Sequence, residues 1–337
     1  AVADIFVAET EAMLDDTERE EIDPRRRLAA MVARLSRSLR SRVAHGCPIA
    51  LCVRDFRNEA PQAADRAAEA FTLLVGFIGG PNVFAEFEDQ MGGRGESEWM
   101  IRGGHRLWIA PEAAPWSYEP DNEPYAGAEA IPNGVRTVQT PGPLTGLEKQ
   151  MEITLDPEQN TATVRHTLTN RRDTPVRCSV WSPSVMGPGG QMILPLPAKV
   201  PHTECLLPTQ NWSLWSYTVL NDPRFTFGRD YIFFRQDPAR GPNKIGLMHR
   251  EGWAAYQREE VLFVKYFDYV DDAEYPDGNV NFECFSNEAM LEVESLGPMV
   301  SLQKDESASR TEVWKIFAPV ARCESEEDVE RWVKPLV

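Results

Sequence analysis

The sequence contains no uninterrupted run of about 18 apolar residues, so nothing in it is expected to cross a bilayer as a helix. Its opening stretch, AVADIFVAETEAMLDDTEREE, has neither the basic start nor the apolar centre of a signal peptide. The six cysteines (Cys47, Cys52, Cys178, Cys205, Cys284 and Cys323) form no C-x-x-C pair and no Cys/His zinc spacing. In a chain of 337 residues they read as reduced thiols, which points to the cytoplasm. Positive charge is scarce: 35 Lys and Arg stand against 52 Asp and Glu, a formal net charge of −17. A surface of that sign repels a phosphate backbone, which disfavours nucleic-acid binding. No G-x-S-x-G, H-E-x-x-H or EF-hand pattern occurs, and the glycines at 79–80 and in GPGG (187–190) fit no phosphate-binding loop. The expectation is a protein with no metal, no cofactor, no membrane association and no nucleic-acid partner. None of these features sets its oligomeric state.

What is present divides by texture. Residues 1–70 are rich in Ala, Arg and Glu, and Leu28, Met31, Val32 and Leu35 recur at helical spacing, with Pro24 suited to a first turn. This segment is expected to be helical. From about residue 71 onward the pattern is that of strands. Met151, Ile153 and Leu155 alternate with polar residues, turn residues follow, and Ala162, Val164, His166 and Leu168 then alternate with a polar face of threonines and Arg165. That is a hairpin with one buried side. Further strand-like runs, among them RDYIFFRQ, KIGLMHR, NVNFECFS, AMLEVESL and RTEVWKIFAPV, are separated by short Pro/Gly turns. SEEDVERWVKPLV reads as a closing helix with Ser325 as its N-cap. The fold class is all-β, a large sandwich or barrel.

GGHRLWIAPE (103–112) places two glycines ahead of His105 and Arg106, where only close backbone approach or an unusual turn makes glycine useful in a strand. The block continues with Trp108, Trp116, Tyr118, Asp121, Asn122 and Tyr125. Flat rings stack on the C–H faces of a sugar while carboxylates, amides and a guanidinium bind its hydroxyls; the same composition also suits a proline-rich loop held down by its aromatics. His166 falls on an apolar strand face, where a histidine is ordinarily a satisfied core residue. Glu292 and Glu294 share one face of a strand, about 7 Å apart, where mutual repulsion would raise one pKa if both were buried; a wet outer face is the alternative. Lys265 interrupts the aromatic run LFVKYFDY, with its amine either in water or in a cleft.

Taken in order, NVFAEFEDQMG, EWMIRGGHRLWIAPE, YEPDNEPY, TGLEKQMEI, VRHTLTN, PGGQMILP, LLPTQNWSLWSYT, DPRFTFG, KIG, YPDGNVNFE and LEVESLGPMVSL resemble a bacterial domain family of unknown function. That family lies in the galactose-mutarotase-like (aldose 1-epimerase-like) superfamily, and the resemblance spans residues 75–317. It implies a β-supersandwich over 71–337, preceded by the helical segment 1–70, with a groove on its concave face for a small-molecule carbohydrate. It implies that Gly103, Gly104, His105 and Arg106 stand at the block that holds sugar hydroxyls, and that Glu292 stands at the general base. The superfamily's acid is a histidine on a mid-chain strand, and the corresponding CSVWSPSVMGPGG, around Trp181 and Ser182, has none. The expected assignment is therefore Glu292 and His105 as catalytic pair, with Arg106, Trp108, Asp121, Asn122, Lys265 and Glu294 binding substrate. The expected activity is that of an aldose 1-epimerase-like isomerase. A carbohydrate-binding domain that has lost the acid, and an interaction protein without a ligand, are the alternatives.

Overall fold

The computed structural model describes residues 83–85, 87, 97–121, 125–156 and 159–337. The helical segment expected over 1–70 lies outside the described residues, as does Asn122. Among the described residues the strands pair antiparallel into two sheets. The first contains β1 (Gly104–His105), β2 (Trp108–Ala110), β7 (Val176–Met186), β9 (Trp212–Leu214), β12 (Asn243–Leu247), β15 (Phe282–Ser286), β16 (Leu291–Leu296) and β17 (Val300–Leu302). Its order is β1–β7–β16–β15–β12–β9, with β2 and β17 also pairing to β7.

The second sheet contains β3 (Tyr125–Ile131), β4 (Gly134–Gln139), β5 (Leu147–Asp156), β6 (Thr161–Asn170), β8 (Gln191–Pro195), β10 (Phe225–Phe227), β11 (Tyr231–Arg235), β13 (Trp253–Arg258), β14 (Val261–Phe267) and β18 (Ser307–Phe317). Its order is β10–β11–β8–β13–β14–β18–β6–β5–β4–β3. The expected hairpin is β5 with β6, in the register Met151↔His166, Ile153↔Val164, Leu155↔Ala162. Its apolar face is buried apart from half-buried Leu155, and Thr161, Thr163, Thr167 and Arg165 lie partly or fully exposed, as period-two alternation requires.

The main core lies between the sheets, where Ile245, Phe282, Cys284, Leu291 and Val293 of the first meet Val164, Phe263 and Trp314 of the second. A separate cluster forms at one end, where Leu107 and Ile109 pack with Leu147, Met151, Leu168, Cys178 and Val180. On the outer face of the second sheet, α1 (Glu326–Trp332) places Val329 and Val333 against Ile193, Phe233, Trp253, Leu262 and Val264. Ser325 caps α1 as expected: its hydroxyl accepts from the Asp328 amide at 3.2 Å, and the Asp328 carboxylate accepts from the Ser325 amide at 3.0 Å. No helix among the described residues is long and apolar enough to cross a membrane.

A polar seam runs through the interior. His105 Nε2 lies 2.6 Å from His166 Nε2, and His105 Nδ1 lies 2.9 Å from the Ser184 hydroxyl. Lys265, fully buried, donates to the Ser182 carbonyl (2.6 Å) and the Val293 carbonyl (3.2 Å) and pairs with Glu312 at 3.0 Å. Glu312 also accepts from the Trp314 indole at 2.9 Å. A buried ion pair repays its desolvation only when its remaining donors and acceptors are met, and here each ammonium proton has a partner. Burial pushes the Lys265 pKa down, partly offset by Glu312. Burial likewise lowers both histidines, His166 to about 4 and His105 well below its ordinary value, with their mutual proximity and Lys265 adding to it for His105.

Two stability predictions follow from this architecture. Ser325→Ala removes one half of the capping box and is expected to cost about 1 kcal/mol in urea unfolding, with α1 fraying first in hydrogen exchange. A histidine that resists protonation when folded takes up a proton on unfolding. Each such histidine contributes stability that is fully present above pH ~6.5 and is lost as the pH falls toward about 4, the folded value of His166 and also of buried His249, with a slope of about 1.4 kcal/mol per pH unit within that window. Because buried carboxyls of raised pKa, Glu292 at about 8 among them, contribute the opposite slope over the same range, the histidine share is read from ring-proton NMR. His166 and His249 resonances that titrate with an ordinary midpoint near ~6.5 would overturn it.

Candidate functional site

In the first sheet, alternation sends Leu291 and Val293 of β16 into the core and Glu292 and Glu294 to the opposite face. β15 does the same, with Phe282 and Cys284 inward and Glu283 outward, directly opposite Glu294 in the register. Lys244 projects from β12 onto this face. Its ammonium lies 2.6 Å from Glu283, 3.4 Å from Glu294 and 3.8 Å from Glu112. All three strand glutamates are buried although they lie on an outer face, Glu292 retaining 9 % exposure against 1 % for Glu294 and none for Glu283. The cover includes residues 111–118, which arch over from β2 and bring Glu112 to Lys244 and the Tyr118 hydroxyl to Glu112. Trp215, after β9, contributes as well. The result is a recess rather than a wet sheet surface.

The recess is walled by rings. The Trp108 ring centroid lies 4.8 Å from that of Trp181, 4.8 Å from Trp99 and 5.6 Å from Tyr118. Lys244 stands over two indoles, 5.0 Å from Trp181 and 4.7 Å from Trp215. The Trp181 indole donates to Glu294 at 2.9 Å. The Trp99 and Trp108 indole N–H groups and the Oε1 atoms of Glu283 and Glu294 are buried with no hydrogen-bond partner. A separate open surface depression, lined by Pro111, Arg177, Glu274, Tyr275, Pro276 and Asp277, contains none of the recess glutamates or indoles.

Of the residues expected to form the site, Glu292, Glu294, Trp108 and Arg106 lie on this face. Arg106 is engaged by its own chain: it donates to the Met100 carbonyl (2.5 Å), the Ile101 carbonyl (3.0 Å) and the Asp121 carboxylate. Asp121 is further paired with Lys149 at 3.4 Å. Burial raises the Asp121 carboxyl, but Arg106 and Lys149 outweigh it and hold it below the ordinary range. Arg106 and Asp121 thus brace the wall, and the guanidinium is not a free clamp for ligand oxygens.

His105 and Lys265 do not reach the recess. In β1, Gly104 pairs opposite Val185 and His105 opposite Ser184, so His105 points inward while its neighbours Gly104 and Arg106 face the other way. Two consecutive strand residues cannot share a face, which is why His105 cannot stand beside Arg106 as an acid in the same cleft. Lys265 belongs to the second sheet and ends beneath β7 and β16, on the core side. The glycines are explained by backbone: Gly103 and Gly104 adopt φ of 90° and 70°, and the Gly104 amide donates to the Ala85 carbonyl at 3.0 Å.

Glu112 belongs to the polar-aromatic block 103–125 that the sequence marks out, whereas Lys244, Glu283 and Trp215 lie outside it. One signal was present: Glu283 in NFECFS and Lys244 in KIG are charges inside otherwise apolar strands. Gly246 of KIG lacks the Cβ that would sit 3.2 Å from the Trp215 ring.

Crowding sets the proton affinities. Burial pushes Glu292 up to about 8, with the charges of Glu294 and Glu112 adding to it and Lys244 and Arg106 opposing it. Burial also raises Glu283 and Glu294, while Lys244, despite its own burial, is held well above its ordinary value by Glu283, Glu294 and Glu112. Burial and mutual repulsion thus raise the proton affinity of Glu283, Glu292 and Glu294 together, with Lys244 opposing the rise. Glu294→Gln removes the nearest like charge and is expected to bring the Glu292 midpoint down from about 8, read by carbon-detected NMR titration of the glutamate carboxyls. An unmoved midpoint would show that the two carboxyls are not coupled.

No family model matches this chain, and no curated protein sequence is significantly similar to it. Solved structures similar to it include galactose mutarotase-like proteins. A protein of Synechocystis sp. PCC 6803 aligns with a TM-score of 0.45 at 11 % identity, over 70 % of this chain and 85 % of that one. A galactose mutarotase-like protein from Lactobacillus casei gives a TM-score of 0.39 at 9 % identity, over 70 % of this chain and 84 % of that one. A galactose mutarotase related enzyme from Lactobacillus acidophilus gives 0.35 at 8 %, over 60 % and 74 %.

Proposed function

We propose that the recess binds a sugar and moves protons at its anomeric centre, as an aldose 1-epimerase does, with Glu292 as the base. The observation that carries this reading is a carboxyl of raised proton affinity, partly accessible at the edge of an indole-walled recess whose buried donors and acceptors lack partners. Sugar hydroxyls both donate and accept, so one ring of them would satisfy Trp99 and Trp108 on one side and Glu283 and Glu294 on the other. The indole faces would carry the C–H surface.

Mutarotation needs a base for the anomeric hydroxyl and an acid for the ring oxygen. When Glu292 takes the hydroxyl proton, the C1–O5 bond breaks toward an aldehyde and the ring oxygen receives a proton. Rotation about C1–C2 and reclosure give the other anomer. Since His105 faces the core, the acid in this scheme is a member of the Glu283/Glu294 pair, whose hold on a proton is strengthened by the same burial and crowding that raise Glu292. Lys244 stabilises the negative charge left on whichever carboxylate is ionised.

As a base, Glu292 works only when ionised, about one tenth of the molecules at pH 7 for a midpoint near 8. Catalysed anomeric equilibration of aldoses, followed by polarimetry, is therefore expected to accelerate as the pH rises toward about 8 and to fall again once the acid of the Glu283/Glu294 pair loses its proton. Glu292→Gln is expected to lower the rate by at least a hundredfold. Acceleration that survives the substitution would remove Glu292 from the mechanism. Saturable sugar binding without any acceleration by the wild type would mark a binding domain that has lost the chemistry.

A further inference from the structure

The recess holds more carboxylate than its own cations answer. Glu112, Glu283, Glu292 and Glu294 face it, and Asp277 adds a fifth carboxyl at its margin, close enough to Glu283 for the two to share a hydrogen bond. Against them stands Lys244, whose single ammonium is divided among three of the four glutamates. Arg106 opposes the Glu292 charge from the wall, but its guanidinium is held by Asp121 and by the Met100 and Ile101 carbonyls and is not free to meet a ligand. The mismatch is directional as well as numerical: Oε1 of Glu294 is a buried acceptor with nothing donating to it, and Glu283 has only Lys244 and the neighbouring carboxyl of Asp277 as partners. A cation entering among crowded carboxyls favours their ionised, accepting form and replaces the proton each would otherwise hold, so a cationic donor completes the cluster best.

The walls favour the same kind of group. The negative faces of Trp181 and Trp215 already hold one ammonium, that of Lys244, at 5.0 and 4.7 Å, and Trp108 and Tyr118 extend the aromatic surface toward the opening. Glu112, with 31 % of its side chain exposed, places a carboxylate where a ligand first enters.

We propose that the ligand of this recess is a sugar bearing a protonated amino group, and that phosphorylated sugars are excluded. This rests on the reading of the recess as a sugar site. The ammonium has three donors and no acceptor, and it would sit among Glu112, Glu292 and Glu294 with its C–H neighbours on the indole faces. A phosphate would bring negative charge among carboxyls that already repel one another, with no uncommitted basic side chain among the described residues of the recess to receive it.

The test is isothermal titration calorimetry on the full 337-residue chain at pH 6.5. The probes are glucose and galactose, their 2-amino forms, their N-acetylated forms and their 6-phosphates. The amino sugars are expected to bind at least tenfold more tightly than the parent sugars. The N-acetyl forms, similar in shape but uncharged, are expected to gain nothing over the parents, and the phosphates to give no heat of binding. Glu112→Gln, at a partly exposed position that leaves the fold intact, and Glu294→Gln are each expected to shrink the amino-to-parent ratio at least threefold. Equal affinity for amino and parent sugars, tighter binding of a phosphate, or a ratio unchanged in both variants would overturn the proposal while leaving the sugar site standing. Binding of none of the probes would overturn both.

Discussion

A strand buried on both faces has to sort its residues with no solvent side to absorb mistakes, and the first sheet is built from such strands. Every residue of β16, from Leu291 to Leu296, is buried, yet the strand carries two glutamates. Alternation sends Leu291 and Val293 into the sandwich and leaves Glu292 and Glu294 for the recess. The same rule divides β15, β12 and β1, and it assigns Glu283 and Lys244 to one side and His105 to the other. The recess exists because several strands in register turn their polar members the same way and a roof then covers them.

That arrangement places two charged clusters back to back across a single sheet. On the core side Lys265 and Glu312 are neutralised within a closed network, with partners on Ser182, Ser295, Val293 and Trp314. On the recess side the balance is left open, with carboxylates in excess and oxygens unpartnered. His166 Nδ1 and the Ser182 hydroxyl lack partners on the core side too, so what sets the recess apart is its excess of carboxyls, and that is where a ligand would act. Isolation from water alone does not distinguish them, because Glu283 and Glu312 are equally inaccessible.

Much of this was legible in the chain. The β5–β6 hairpin, the Ser325 cap and the shared face of Glu292 and Glu294 all follow from local spacing, because each depends on residues within one element or across one turn. His105 was misplaced for an equally local reason: it stands next to Arg106, and adjacent strand residues face apart. The pairing of Glu283 with Glu294, and the reach of Lys244 to both, could not be read in the same way. Residues 244, 283 and 294 come together through the register of three strands, and register belongs to the sheet rather than to any one segment. The arch at 111–118 escaped for a related reason, since a loop's composition says that it is aromatic and acidic but not what it covers.

The position of Lys265 bears on how the recess can move. Its ammonium grips a carbonyl of β7 and a carbonyl of β16 from beneath, where those two strands are also hydrogen-bonded to each other. A floor clamped in this way can neither lift nor slide by a residue without tearing a buried cation from its acceptors. Any adjustment of shape to an incoming molecule must therefore come from the roof, from residues 111–118 and the turn bearing Trp215, while the glutamates beneath keep their spacing.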